Sequence, residues 1–329
     1  MDAVDFVILW VDGDDPAWRE SFLTARQEAG RDCDASAIRY RDWELLRYWF
    51  RGVERHAPWV RTIHFVTWGH LPEWLNREHP KLHIVRHEEF IPEAYLPTFN
   101  SNTIELNLHR IEGLAERFVL FNDDTFLTAP CAEGEFFKGG VPRDMARLSL
   151  VQASSVGHTI YNNLALINAT HSRKGLTSHL GKWFHPTYGL GNLLKSLTLL
   201  PWSFYPGFYD HHLPQPYLKG QFERAWELWG RELDRACHNR LRELSDLSHW
   251  LIRYDMLCRG EFSPRNLRDS RLLNINEEQL EPICEAIRQG GYRMLCLNDG
   301  EEIAHFERCK EALKEAFEEL YPTPSAYEC

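Results

Sequence analysis

The sequence predicts an α/β fold whose mostly parallel sheet is covered by helices on both faces, and three observations carry this. Residues 4–11 form an apolar run broken only by Asp5, as a strand buried on both faces requires. Strand and helix patterns alternate through the first 150 residues, the order that builds βαβ units. Two strand candidates end in acidic loops, Asp12-Gly13-Asp14-Asp15 and Asn122-Asp123-Asp124. With 329 residues, 43% of them hydrophobic, the chain can bury a large core.

After the first strand, Asp15 suits the cap of a helix that starts at Pro16. Trp43, Leu46, Phe50 and Val53 recur at helical spacing, while Arg41, Asp42, Glu44, Arg47 and Arg51 take the other faces, which predicts an amphipathic helix. Strand candidates follow at 62–68 and 82–86, then a helix near 103–112 and a strand at 117–121. Residues 151–220 are rich in aromatics, His, Gly and Pro and read as long loops with short helices. Beyond them helices dominate, at roughly 221–236, 277–289 and 303–320. The last places Ile303, Phe306, Leu313, Phe317 and Leu320 on one stripe, a core-packing pattern. The organisation expected is an α/β core over 1–150, a loop-rich aromatic insertion over 151–220, and a mainly helical part over 221–329 that completes the same domain.

A net charge of −11 argues against broad binding to nucleic acid or anionic lipid, so any phosphate must be held locally. The eight cysteines show no CxxC pair and read as reduced thiols of a cytoplasmic protein. The first residues show no basic leader. The greasiest stretch, 193–209, is interrupted by Lys195, Pro201 and Pro206 and is too broken to span a membrane. It reads as a buried helix and loop, the alternatives being a segment lying on a membrane or a lid over a lipid-linked acceptor.

In open parallel sheets, ligands bind beyond the carboxyl ends of the strands, which draws attention to the two acidic loops. Adjacent carboxylates there suit Mg²⁺ or Mn²⁺ bridged to substrate phosphates, although Asn122 to Asp124 equally suits a turn cap. The segment Asp210-His211-His212-Leu213-Pro214-Gln215-Pro216 holds two histidines in a backbone stiffened by proline. A rigid His can act as general base for a hydroxyl, and a pair of satisfied core histidines is the alternative. Candidate phosphate clamps are Arg39, Arg41, Arg110, Arg240, Arg242, Arg265, Arg268 and Arg271. There is no GxxxxGK[ST], no GxGxxG after a strand, no GxSxG and no HExxH, which removes support for an ATP kinase, a dinucleotide oxidoreductase, a serine hydrolase or a zincin.

Taken together, the motifs resemble the Stealth family of hexose-1-phosphotransferases. The run Asp5-Phe6-Val7-Ile8-Leu9-Trp10-Val11-Asp12-Gly13 is similar to its first conserved region. The second follows in order through Arg39 to Asp42, Glu44-Leu45-Leu46-Arg47-Tyr48, Ala57-Pro58-Trp59-Val60-Arg61, Trp74-Leu75-Asn76, Leu96-Pro97-Thr98-Phe99-Asn100-Ser101, Ile104-Glu105, His109-Arg110-Ile111-Glu112-Gly113-Leu114 and Phe121-Asn122-Asp123-Asp124. Two further matches are His212-Leu213-Pro214-Gln215-Pro216 with Lys219, and the stretch from Asn239 to Asp246. Trp68 and His70 depart from the residues typical of relatives, which bears on which sugar or base is read there.

The resemblance implies a Rossmann-like, glycosyltransferase-A-like fold. It further implies transfer of a hexose 1-phosphate from a UDP-sugar to an oligosaccharide or lipid-linked glycan acceptor, releasing UMP, in capsule or exopolysaccharide synthesis. On the same ground Asp123 and Asp124 would hold the cation, His212 would be the base and Arg242 a phosphate clamp. Asp12, Asn100, His109, Arg110 and Lys219 would then bind substrate. The run from Glu105 to Arg110 would equally serve as an internal ion-pair network that positions the two aspartates. No nucleic-acid partner is expected, and contact with a membrane or with capsule assembly proteins would be peripheral. The competing reading is a metal-dependent glycosyltransferase that releases UDP.

Overall fold

The computed structural model of the chain describes residues 3–29, 41–152, 154, 156–299 and 303–329, so Arg39 lies outside the described residues. At its centre is β1 (Val4–Leu9), flanked in parallel by β2 (Ile63–Thr67) and β4 (Arg117–Phe121). β3 (Leu82–Arg86) continues the sheet beside β2, and β8 (Gln215–Leu218) closes the other edge antiparallel to β4. The strand order β3-β2-β1-β4-β8 is the Rossmann-like, mostly parallel sheet expected.

Alternate side chains of β1 and β4 enter two separate cores, which explains why β1 is apolar at every position but one. Phe6, Ile8, Val119 and Phe121 pack toward α2 (Leu46–His56), α11 (Leu280–Gln289) and α12 (Phe306–Leu320). Val7, Phe118 and Leu120 pack toward α5 (Gly157–Thr170), α9 (Lys219–Cys237) and α10 (Trp250–Arg259). The exception in β1 is Asp5, wholly buried. Burial alone would raise its pKa, but hydrogen bonds from Arg61, His64 and the Ala115 amide more than offset that and hold the carboxyl below its ordinary value.

The remaining elements qualify the sequence reading in three places. The part over 221–329 is not only helical, since β10 (Ser270–Asn274) and β11 (Met294–Asn298) run parallel, and β11 pairs antiparallel with β5 (Thr125–Leu127). A four-residue apolar run such as Met294 to Leu297 in β11 has no period that separates strand from helix, and its partner β5 lies far away in sequence. The helix expected near 103–112 stops early, as α4 (Ser101–Leu106), with a single 3₁₀ turn after it; the Asn107 side chain turns back to donate to the Thr103 carbonyl at 2.8 Å. Residues 151–220 hold a full helix, α5, besides the short α6 (Lys174–Ser178), α7 (Leu180–Trp183) and α8 (Leu190–Thr198). Contrary to the expectation of burial there, α8 turns Leu190, Leu194 and Leu197 outward.

Two helices and three short strands complete the set. In α1 (Pro16–Ala29), the Asp15 carboxylate accepts from the Trp18 amide at 2.8 Å, as the cap reading requires. α3 (His87–Phe90) follows β3, and β6 (Phe137–Lys138), β7 (Val141–Asp144) and β9 (Ser263–Pro264) form a small third sheet.

β5 begins directly after Asp123-Asp124, so its seating on α2 sets the height of the acidic loop. Gly52 lies at that crossing, where an added Cβ would stand 2.6 Å from the Leu127 carbonyl oxygen. Gly52→Ala is therefore expected to lower stability by about 1–3 kcal/mol in urea unfolding, although alanine is the better helix former.

Candidate active site

The edge strand decides where the site forms. Because β8 is antiparallel to β4, with Gln215 opposite Leu120, residues 210–214 arrive at the end where β4 leaves into Asn122-Asp123-Asp124. His212 thereby meets a loop nearly ninety positions away in sequence. Between them lies a cavity of about 280 Å³ whose wall includes Asn122, His212, Arg242, Glu105, His249 and Trp250.

His212 stands in the wall with a left-handed backbone, φ +45°, which a non-glycine residue adopts only where its surroundings impose it. Its flanks supply the imposition. His211 Nδ1 accepts from the Leu213 amide at 3.2 Å, and its Nε2 lies 3.4 Å from Asp144 Oδ1. Asp210 accepts from Arg253 Nη1 at 3.0 Å and from the Tyr254 hydroxyl at 2.6 Å. Arg253 is wholly buried and bidentate on Asp144, at 2.6 and 3.0 Å. Burial would raise the Asp144 pKa, but Arg253 and His211 hold it well below the usual carboxylate range, so the pair stays ionised. Burial lowers the His212 pKa below 6.5, which keeps the imidazole neutral and able to take a proton near pH 7.

Arg242 reaches the cavity from the loop after α9 and donates to Ser101 Oγ at 2.8 Å. Asn100 holds that loop. Its Oδ1 caps α4 at the Asn102 amide, while its Nδ2 donates to the Leu241 carbonyl at 3.2 Å and to Asp246 Oδ2 at 3.0 Å. Fully buried and committed to the protein, Asn100 has no group left for a donor substrate, so its expected binding role becomes one of positioning Arg242.

Acidic side chains gather at the carboxyl ends of β1 and β4. Asp123 keeps surface open to solvent, yet protein surrounds its carboxyl so closely that burial, with Asp124 and Asp42, pushes its pKa up to about 7. Asp124 is pushed up to about 6, first by burial and then by Asp299, against the Cys296 thiol that donates to its Oδ2 at 3.5 Å. Its Oδ1 is buried without a hydrogen-bond partner. Among the described residues no three His, Cys, Asp or Glu side chains group to cage a metal. A carboxylate pair with one orphaned oxygen instead fits a hydrated Mg²⁺ or Mn²⁺ that takes its other ligands from water and substrate phosphates.

Asp12 stands beside Asp42 in this acidic group, half-buried, outside the cavity wall. Its amide donates to His70 Nε2 at 2.7 Å, so His70 props the loop. Arg41 is engaged by Asp299, with Nε 3.0 Å from Oδ2.

The structure separates three expected binders from the site. Lys219 follows Leu218, which pairs with Arg117 at the amino end of β4, about 10 Å along the strand from Gln215. His109 is buried between Phe222 and Trp226, and burial first, then Arg110, lowers its pKa to about 3, so it offers no charge to a phosphate. Arg110 lies over the Trp226 ring at 4.8 Å and donates to Asn107, so it forms no ion pair with Glu105.

Two residues that carry the site were not singled out as binders or catalysts. Burial pushes the Glu105 pKa up to about 7 against the pull of Arg242. His249 faces it, Nε2 to Oε2 3.8 Å, beyond a hydrogen bond, while its Nδ1 is 2.7 Å from the Tyr217 hydroxyl. Burial lowers His249 to about 3, so it is neutral. The one available signal was a carboxylate inside the otherwise uncharged Thr103-Ile104-Glu105-Leu106 run.

A Rossmann-like sheet that brings a neutral imidazole and a guanidinium into one cavity wall, with a carboxylate pair on the loop that follows Asn122 of that wall, is the equipment of a group-transfer enzyme. The chain belongs to the Stealth family: residues 2–25 match Stealth protein CR1, conserved region 1, and residues 39–144 match Stealth protein CR2, conserved region 2. It is 40% identical over 328 residues to the capsular polysaccharide phosphotransferase WcwK of Streptococcus pneumoniae, across 99% of this chain and 98% of that one. Other relatives are the exopolysaccharide phosphotransferase cps2G of Lactiplantibacillus plantarum, 36% identical across 99% and 96%, and the receptor polysaccharide phosphotransferase WefC of Streptococcus oralis, 34% identical across both whole chains.

Removing one partner of the buried ion pair leaves an unpaired charge, so Arg253→Met is expected to cost about 3–5 kcal/mol in urea unfolding at pH 7. Because the folded-state pKa of Asp144 lies below its ordinary 3.8, its contribution is complete above that value and fades as pH falls. The gap between Arg253→Met and wild type should narrow in acid. Glu105 has the opposite sign. Its folded pKa of about 7 exceeds the ordinary 4.5, so the folded state keeps a proton that the unfolded chain releases, and stability falls from pH 4.5 to 7. Glu105→Gln should therefore stabilise the protein in EDTA at pH 8, by about 2–3 kcal/mol, with no gain at pH 4.

Proposed function

We propose that this phosphotransferase moves a hexose 1-phosphate, with an N-acetylhexosamine 1-phosphate the first choice, from a UDP-sugar to a hydroxyl of a glycan acceptor in capsule or exopolysaccharide synthesis. The observation that carries the reading is the placement of His212 and Arg242 in the wall of one cavity with Asn122, whose next two residues are Asp123 and Asp124.

His212 takes the proton of the acceptor hydroxyl as that oxygen attacks the phosphorus next to the sugar. The new oxygen–phosphorus bond forms as the bridge to the second phosphorus breaks, the products being a phosphodiester and UMP. Arg242, held by Ser101, offsets charge on the transferred phosphoryl oxygens. Asp123 and Asp124 would hold a divalent cation, Mg²⁺ or Mn²⁺, which supplies further charge neutralisation at the diphosphate when bound. The orphaned oxygen of Asp124 and the raised pKa values of both carboxyls support that assignment. Asp12 supports the acidic loop from the neighbouring strand.

The test is product release from a panel of UDP-sugars with an acceptor oligosaccharide, in Mg²⁺ or EDTA. UMP release that depends on the metal and falls by roughly 10²–10⁴ in His212→Ala, with comparable losses in Asp124→Ala and Arg242→Ala, is the expected result. UDP in place of UMP would transfer the chain to the glycosyltransferases.

A further inference from the structure

In a chain with 48 Asp and Glu residues, the 65 positions from Met145 to Tyr209 contain none, while Arg147, Arg173, Lys174, Lys182 and Lys195 fall among them. The overall negative charge therefore does not describe this region, whose own charge is positive.

The same region carries a concentration of exposed apolar side chains. In α8, Leu190, Leu194 and Leu197 recur at i, i+4 and i+7 and are 72%, 51% and 53% exposed, while the buried side chain of the helix is Ser196, whose hydroxyl accepts from the Leu148 amide. A helix that serves only its own core turns its leucines inward and its serine outward; α8 packs Leu193 on the core but buries Ser196 and leaves its other three leucines in solvent. The loop after it adds Trp202 and Phe204, 52% and 47% exposed, in edge-to-face contact at 5.7 Å. That loop is fixed in place. Arg173 Nη2 donates to the Leu200 carbonyl at 3.2 Å, Asn168 exchanges two hydrogen bonds with the Tyr205 backbone, and Tyr205 is buried. The side chains of Lys174 and Lys195 are exposed.

We propose that α8 and the loop carrying Trp202 and Phe204 dock on the surface of an anionic lipid bilayer. Leucines on one helical stripe, a Trp and a Phe at a loop tip, and lysines with no carboxylate among them are the components of an in-plane interfacial anchor. A second copy of the chain is a poor occupant, because it would bring its own Lys174 and Lys195 against these, from a segment with no carboxylate of its own. The docking stands independently of the reaction assigned above.

Co-sedimentation with phosphatidylcholine vesicles, with or without phosphatidylglycerol, tests the inference at low and high salt. Wild type should bind the phosphatidylglycerol vesicles, and high salt should weaken that binding. Leu194→Asp with Trp202→Asp should weaken it at least tenfold. Lys174→Glu with Lys195→Glu, which leaves the apolar side chains in place, should do the same at low salt, and Leu23→Asp on α1 should leave it unchanged. Failure of wild type to bind, equal binding to both vesicle types, or full binding by the lysine variant would overturn the proposal. So would sedimentation velocity showing self-association that the Leu194→Asp, Trp202→Asp variant abolishes, because the patch would then join two copies of the chain.

Discussion

A guanidinium with no access to solvent has to be met by carboxylates, and Arg253 draws two of them to one point. Asp144 comes from the end of β7 and Asp210 from the segment before β8, so a single side chain of α10 ties three distant stretches together. Gln215 and His211 complete the circle around Asp144. His212 lies inside that girdle, and its left-handed backbone is affordable because both flanks are held. The buried charges thus fix the backbone that presents one imidazole to the cavity.

Around the cavity the groups are set at different protonation states by different surroundings. Burial keeps His212 and His249 neutral, Arg242 donates to Ser101, burial alone raises Glu105, and on the neighbouring acidic loop Asp123 and Asp124 are raised by burial and by nearby carboxylates. Carboxyls crowded together in this way are the groups a bound cation would relieve, which is the physical basis for the proposed cation at the acidic loop.

Much of this was legible in the residues. The apolar run of β1, broken only by Asp5, announced a strand covered on both faces, and the acidic loops were placed at the carboxyl ends of β1 and β4, where the structure has them. The proline-stiffened His212 segment and Arg242 were recognisable as family motifs. The motifs misled where a shared pattern serves structure: Asn100 caps α4 and braces the Arg242 loop, His109 fills a core, and Lys219 stands at the far end of the sheet. A motif records that residues matter together, and hydrogen bonding decides whether they face a ligand or one another.

By itself the sequence determined the four parallel strands of the central sheet, β1 to β4, and the helices α1 and α2, because period and apolar run length are local properties. It also determined the family, because the order of its motifs is a linear property. Only the tertiary structure decided the direction of β8, the pairing of β11 with β5, the outward turn of α8, and the choice of Glu105 and His249 as partners of the site. Each depends on which distant group a buried charge, an open strand edge or an apolar face finds, and that is set by the closing of the whole chain around its cores.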